Sequence, residues 1–435
     1  MCRKHAATHH DKLTSIPGPK KRKAVAKDEP MSKKQKPNSR FSFLQLDKLG
    51  VQPPIDTNSI VNYDPATIKN DAERTVIIVH SRFPKLVNDF LQHKLTFGSE
   101  HERLLYGVPG YDWQVQTARL IEKRPLAFVG AGDSTLLRGG EAFDGNERDE
   151  WDRNGKPTQN LNRTLTLDRY LSYDEIMLGS LIGVSGPSYF INDGGRYNSG
   201  EPGEQGKFQP RGVIMGLVGA RFERTDRMDS THIQAASADP YQHPLLSKIF
   251  QDFFGITKSK TAAFDLKMYK ARMRITIDIL LLEADRRAQA VKSQAHAYVV
   301  GLGLGVWQAN DKQAEQYIDG FADAFDELAL SSIGTLEFAW ITVPSACRER
   351  VTQAAKKQGT NVVFSKRKPA ENLTSDELLV LSYAWDGNSF PGNEYWMGSL
   401  MASGDPAAAC MSTVAQLHNP LSNPDFLKRI EVLGG

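Results

Sequence analysis

AYVVGLGLGVW, residues 297–307, is the stretch from which the rest of the chain can be read. It opens as a short apolar run with β-branched residues, the pattern of a buried strand. Gly301, Gly303 and Gly305 then alternate with leucines and lead into Val306 and Trp307. DKQAEQYIDGFADAFDEL (residues 311–328) follows, with apolar side chains at helical spacing. Strand, Gly-rich turn and helix in that order make the repeating unit of an α/β fold with parallel strands. The glycines leave main-chain N–H groups open to an anion, and the helix start adds a positive dipole end. The bland alternative is a tight turn with close strand–helix packing. The loop has no GK[ST], which argues against an NTPase. It has neither the third glycine nor the ribose-binding acid of a dinucleotide fold, which argues against an NAD dehydrogenase.

Working outward, the alternation continues. TLEFAWITV (335–343), NVVFSK (361–366) and ELLVLSYAWDG (377–387) read as strands, and CRERVTQAAKKQG (347–359) as a helix ending at Gly359. DPAAACMSTVAQLH (405–418) reads as a helix, with Asp405 placed to cap it and Pro406 at its first position. Upstream, TVIIVHS (75–81), PLAFVGAG (125–132) and GVIMGLVGARFE (212–223) read as strands. Residues 84–95 and 261–290 have helical spacing, and 170–193 is a helix followed by a strand. Residues 133–157 read as one long polar loop. This pattern predicts a mostly parallel sheet covered on both faces, with ligands bound beyond the carboxyl ends of its strands.

Composition narrows the class. The chain has 435 residues, 40% of them apolar, and a formal charge of only +3. The charge excess sits at the front: residues 1–40 are rich in Lys and Pro and read as a disordered basic tail, with the folded domain expected over 41–435. Lys20-Lys21-Arg22-Lys23 and Lys33-Lys34 with Lys36 have the form of a two-part nuclear-import signal, or of a merely solvated basic tail. Such a tail could also contact nucleic acid, but the rest of the chain has no basic stripe, which argues against that partner. Three scattered cysteines form no CxxC pair, and the histidines show no ligand spacing, so no metal site is expected. No apolar run reaches membrane-spanning length, and a leader with an apolar core is absent from the pattern. A cytoplasmic or nuclear location is expected.

The second chemistry-bearing stretch is SYAWDGNSFPGNEYWMGSLMASGDPAAAC (382–410). Asp386, Asn388, Asn393 and Glu394 crowd a loop just after a buried strand, followed by Asp405 at a small-residue helix start. Asn and Asp suit ribose hydroxyls, and Tyr395 and Trp396 could stack on a base. The alternative is a turn-rich loop of ordinary Asx turns. Asp311, just past the Gly turn, is either a carboxylate beside the phosphates or an N-cap. Asp319 and Asp323, with Glu315, form a row on one helix face, which is either functional or a solvated, cation-paired surface. Residues 130–140 and 192–198 are further candidate lids, in which Arg138 or Arg196 could meet phosphate.

The strand ending in GLGLGVW resembles the phosphate loop of macrodomains, and WDGNSFPGNEYW…ASGDPAAAC resembles their second ligand loop. The whole chain is most similar to the MavL group of macrodomain-type ADP-ribosylhydrolases, which includes bacterial effectors. The resemblance implies a three-layer α/β fold with a mixed, mostly parallel sheet and N-terminal elaborations. The two loops come in reversed order, which implies a permuted arrangement. It implies an enzyme, needing no cofactor, that removes ADP-ribose from a modified protein through an arginine linkage. In the MavL group that protein is similar to ubiquitin, and delivery into a host cell is part of the implied setting. The alternative is a module that reads ADP-ribose without cleaving it. Gly301, Gly303, Gly305, Val306 and Trp307 match the phosphate loop. Asp386, Asn388, Asn393 and Asp405, with Asp319, are the other ligand-binding candidates. Asp311, Asp323 and Glu394 are the catalytic candidates, in the roles of placing water and stabilising an oxocarbenium-like transition state.

Overall fold

The β-branched run Val76–His80 is buried along its whole length and forms β1 near one end of a large sheet. The other strands are β2 (Ala127–Val129), β3 (Ser134–Leu136), β4 (Ala142–Phe143), β5 (Ile182–Tyr189), β6 (Arg211–Leu217), β7 (Ala295–Val299), β8 (Ile333–Ala339), β9 (Asn361–Ser365), β10 (Leu378–Ala384) and β11 (Ile430–Leu433). This computed structural model describes residues 39–130, 132–143, 148–237, 240–401 and 403–434. The basic tail and its import-signal reading fall at residues 1–38, outside the described residues.

Eight strands form one sheet in the order β11-β1-β5-β6-β10-β7-β8-β9. β6, β10, β7, β8 and β9 are mutually parallel, and β1 pairs parallel with β11. β5 runs antiparallel to both β1 and β6, so the sheet is mixed and mostly parallel. Adjacent residues of β5 define the layers, because successive side chains point to opposite faces. Ser185 accepts from Arg287 of the long helix Leu266–Ala290. A Cβ on Gly186 would meet His418, past the helix Gly404–Met411 on the other face. The result is the three-layer α/β arrangement expected from the alternation. Among the described residues, no helix is long and apolar enough to cross a membrane.

Four local readings need correcting. Residues 133–157 are not one loop: β2, β3 and β4 form a small antiparallel sheet, and Arg148–Arg153 is helical. The strand read over 212–223 stops at Leu217, because Gly219 packs against the main chain of Gly303 and the chain must turn. The strand read over 335–343 stops at Ala339, where Trp340 turns into the left-handed region at φ +61. The helix read over 405–418 breaks at Ser412 into two short pieces, Gly404–Met411 and Val414–Leu417. β11, which the sequence reading passed over, caps the sheet edge beside β1.

The parallel strands bring their carboxyl ends to one rim. Along it stand, in order, the loops after β6 (residues 218–229), β10 (385–403), β7 (300–312) and β8 (340–344).

Candidate active site

At the centre of the rim, the loop after β10 gathers three carboxylates. Asp405 is 1% exposed, while Asp386 and Glu394 keep part of their surface open. Burial pushes the Asp386 carboxyl up to about 7 against the pull of Arg221, with Glu394 and Glu223 adding to the rise. Burial raises Glu394 as well. Asp405 is raised furthest, by burial and then by the charges of Asp386 and Glu394. Carboxyls that raise one another cannot all ionise together, so the set holds protons that isolated carboxyls would lose. Among the described residues, one oxygen of Glu394 and one of Asp405 are buried without a partner, as are both side-chain polar atoms of Asn388. A buried orphan polar atom is costly unless a ligand supplies its partner.

The loop is held in shape by two of the residues expected to bind ligand. Asn393, with φ +33, acts as a piece of sheet: its Oδ1 accepts from Phe128 N (2.8 Å) and its Nδ2 donates to Phe128 O (3.2 Å) of β2. The same amide group donates to Asp386. Asp405 does not cap its helix as expected. It sits inside the first turn, and its Oδ1 instead accepts from Gly392 N (2.7 Å), closing the loop on itself. Tyr395 and Trp396 are buried in a small apolar cluster and are not available for stacking.

Beside this loop stands the Gly turn after β7. Gly303 has φ +70, and a Cβ there would lie 2.8 Å from Ala220 O, so this glycine is required by packing. Around Gly305 there is open space, and Val306 is 94% exposed. Among the described residues, the amides of Gly305, Val306 and Trp307 have no main-chain acceptor. Both readings of the turn therefore apply, to different glycines: Gly303 serves packing, and the half around Gly305 to Trp307 offers free donors.

The other expected acids are not part of this cluster. Asp311 is exposed, and the helix Gln313–Glu327 starts without it: Gln313 accepts from the amides of Ala309 and Asn310. Asp323 bonds Lys270 (2.6 Å) and Arg350, and Asp319 bonds Arg350 (3.1 Å), which ties three helices together. Burial opposes it, but Lys270 and Arg350 hold the Asp323 carboxyl below its usual range. Of the three acids expected to be catalytic, only Glu394 joins the cluster. Arg138 is spent on the carbonyls of Arg124 (3.0 Å) and Arg169 (2.7 Å), and Arg196 is exposed.

Two groups were missed. Arg221, 3% exposed, lies over the rings of Trp307 (5.0 Å) and Phe128 (5.4 Å), and its Nε donates to Glu223 (2.7 Å). Both had been read as strand. Arg124 is fully buried beneath Trp385 (4.1 Å) with no carboxylate bonded to it, and burial lowers its pKa to about 9. An Arg three residues before a short strand carried no signal of this role.

Comparison with known proteins identifies the family. The family model described as "ADP-ribosylhydrolase MavL-like" matches residues 47–243 and 241–432. The chain is 36% identical over 394 residues to the Drosophila melanogaster protein named ADP-ribosylarginine hydrolase CG3568, covering 80% of this chain and 76% of that one. It is 32% identical over 446 residues to ADP-ribosylarginine hydrolase CG2909 of the same organism, covering 90% of this chain and 86% of that one. With the model spanning most of the folded chain and the carboxylate loop standing beside a Gly turn, the chain belongs to the MavL-like ADP-ribosylhydrolase family.

Proposed function

We propose that this hydrolase cleaves the bond between ADP-ribose and an arginine side chain of a modified protein, with the loop after β10 as its reacting centre. The observation that carries the reading is the set of three proton-sharing carboxylates, Asp386, Glu394 and Asp405, next to free amides on the neighbouring Gly turn. The relatives' names point to the arginine linkage.

In this reading the diphosphate lies against Gly305 to Trp307, and the distal ribose lies over Asp386 and Glu394. Asn388 offers its amide to ribose hydroxyls. The adenosine end then extends from β7 towards β8, where Trp340 is 62% exposed and pinned through Nε1 to Arg367 O (3.1 Å). Water's oxygen bonds to the anomeric carbon, and the carbon–nitrogen bond breaks with its electron pair going to the guanidine. The water proton passes to the Asp386–Glu394 pair, and the guanidine takes up a proton to leave as guanidinium. A carboxyl titrating near 7 suits this exchange at neutral pH. Asp405 stays protonated and keeps Gly392 in place. The diphosphate supplies binding energy remote from the bond that breaks.

The arrangement is of macrodomain type with its two loops in reversed chain order. Ubiquitin modified on arginine is a candidate substrate by the resemblance to the MavL group. A panel of arginine-, serine- and glutamate-linked ADP-ribosyl proteins, ubiquitin among them, tests the reading. Free ADP-ribose is expected from the arginine-linked members. Tight ADP-ribose binding with no release from any member would instead mean a reader module. Nuclear import through the tail is tested by following residues 1–40 fused to a reporter.

A further inference from the structure

The order of strands at the rim gives the bound substrate a direction. The phosphate-holding turn follows β7, the carboxylate loop follows β10, and β10 lies between β7 and β6. For ADP-ribose stretched from β8 over β7 to β10, the next loop along the rim in that direction is the one after β6, and the modified side chain would lie against it. The loop there contains an ion pair of unusual setting. Arg221 is 3% exposed, its guanidinium lies over Trp307 and Phe128, and its Nη1 is buried without a partner. Glu223 gives Oε2 to Arg221 Nε (2.7 Å) and to Nη2, while its Oε1 takes no donor among the described residues. Glu223 keeps 19% of its side chain exposed. Its charge reaches both Asp386 and Glu394.

We propose that Glu223, held in place by Arg221, forms the leaving-group subsite, taking the guanidinium of the modified arginine on its free oxygen and so selecting arginine over other linkages. The inference rests on the reading of the rim as an arginine-directed ADP-ribosylhydrolase. A carboxylate oxygen accepts a charge-assisted hydrogen bond from a guanidinium, and this is stronger than a bond between neutral groups. Glu223 is well suited to this part because it is already committed to one guanidinium in a geometry that leaves a second oxygen free. Arg221 fixes that oxygen's direction through the bonds it makes to Oε2. When the carbon–nitrogen bond breaks, the leaving guanidine takes up a proton, and an anion at this place stabilises the guanidinium that forms.

The test uses the full chain and the Glu223→Gln variant, which is nearly isosteric. One arm needs no turnover. Protein saturated with ADP-ribose is titrated calorimetrically with ethylguanidinium, and with ethylammonium as control. Binding of ethylguanidinium is expected, roughly tenfold or more weaker in the variant, as for loss of a charge-assisted hydrogen bond. Ethylammonium should bind more weakly and be less affected. The second arm compares kcat/KM for arginine- and serine-linked ADP-ribosyl peptides. The variant should lose activity on the arginine linkage and discriminate less between the two, while binding ADP-ribose as the parent does. The inference is overturned if ethylguanidinium fails to bind or binds both proteins alike. It is overturned equally if ADP-ribose affinity falls in step with activity, because Glu223 would then serve the fold or the ADP-ribose. A parent that binds ethylguanidinium but releases nothing from arginine-linked substrates would sink the hydrolase reading and leave the subsite standing.

Discussion

A side chain's neighbours decide what its carboxylate can do, and the acids of this chain divide along that line. Asp386 sits near neutrality because it has little water and other acids around it. Its carboxyl is ordinarily ionised above about 3.8, and in the folded chain only above about 7. The stability it contributes is therefore fully present below the lower value and lost as pH rises through the higher one. Asp386→Asn should raise the melting temperature at pH 8, with little effect at pH 4. The same variant should lower kcat at least about a hundredfold, as for loss of a proton-transfer group. In the parent, kcat/KM should rise with pH through an apparent pKa near 7. A variant that is both less stable at pH 8 and fully active would contradict this account. Asp323 is the opposite case. Lys270 and Arg350 already neutralise it, so Asp323→Asn should keep the parental rate of ADP-ribose release. Being a partly exposed pair, it should cost no more than about 1 kcal/mol in denaturant melts, and less at high salt.

Among the elements, the Gly turn separates two jobs that its spelling cannot. Gly303→Ala puts a Cβ 2.8 Å from Ala220 O on a backbone with φ +70, so it should destabilise the fold by roughly 1–2 kcal/mol or more. Gly305→Ala meets nothing within 4 Å and should leave the melting temperature unchanged. If free amides there grip phosphate, Gly305→Ala should still weaken ADP-ribose binding, read by calorimetry. Equal affinity in that variant would remove the turn from the binding account. This is also where the limit of the sequence reading is clearest. Strand, turn and helix around residues 295–327 were legible because apolar periodicity is local. The carboxylate loop was legible because so many polar residues crowd one turn. That Asp311 and Asp323 stand outside the carboxylate cluster was not legible, because proximity along the chain is not proximity in space. Asp323 faces Lys270, 53 positions earlier in the sequence, on a helix the periodicity showed without its facing. Arg221 and Glu223 were hidden because Val218 and Ala220 extend the apolar run of β6. Only the contact of Gly219 with Gly303 reveals the turn.

For the molecule as a whole, the sheet order converts chain position into reaction geometry. β10 comes almost last in the sequence yet lies between β6 and β7, so the reacting loop is flanked by segments that are about 80 and 160 residues earlier. Residues of the N-terminal third supply the footing. Phe128 of β2 anchors Asn393, and Arg124 lies under Trp385. Over β10 itself, a Cβ on Gly219 would lie 2.3 Å from Gly303 N, so the two flanking loops meet main chain to main chain. That meeting point works like the keystone of a small arch spanning the reacting loop. If phosphates are held at one abutment and the departing arginine at the other, any side chain wedged into the crown would spread both feet together and blunt grip and selectivity in a single stroke.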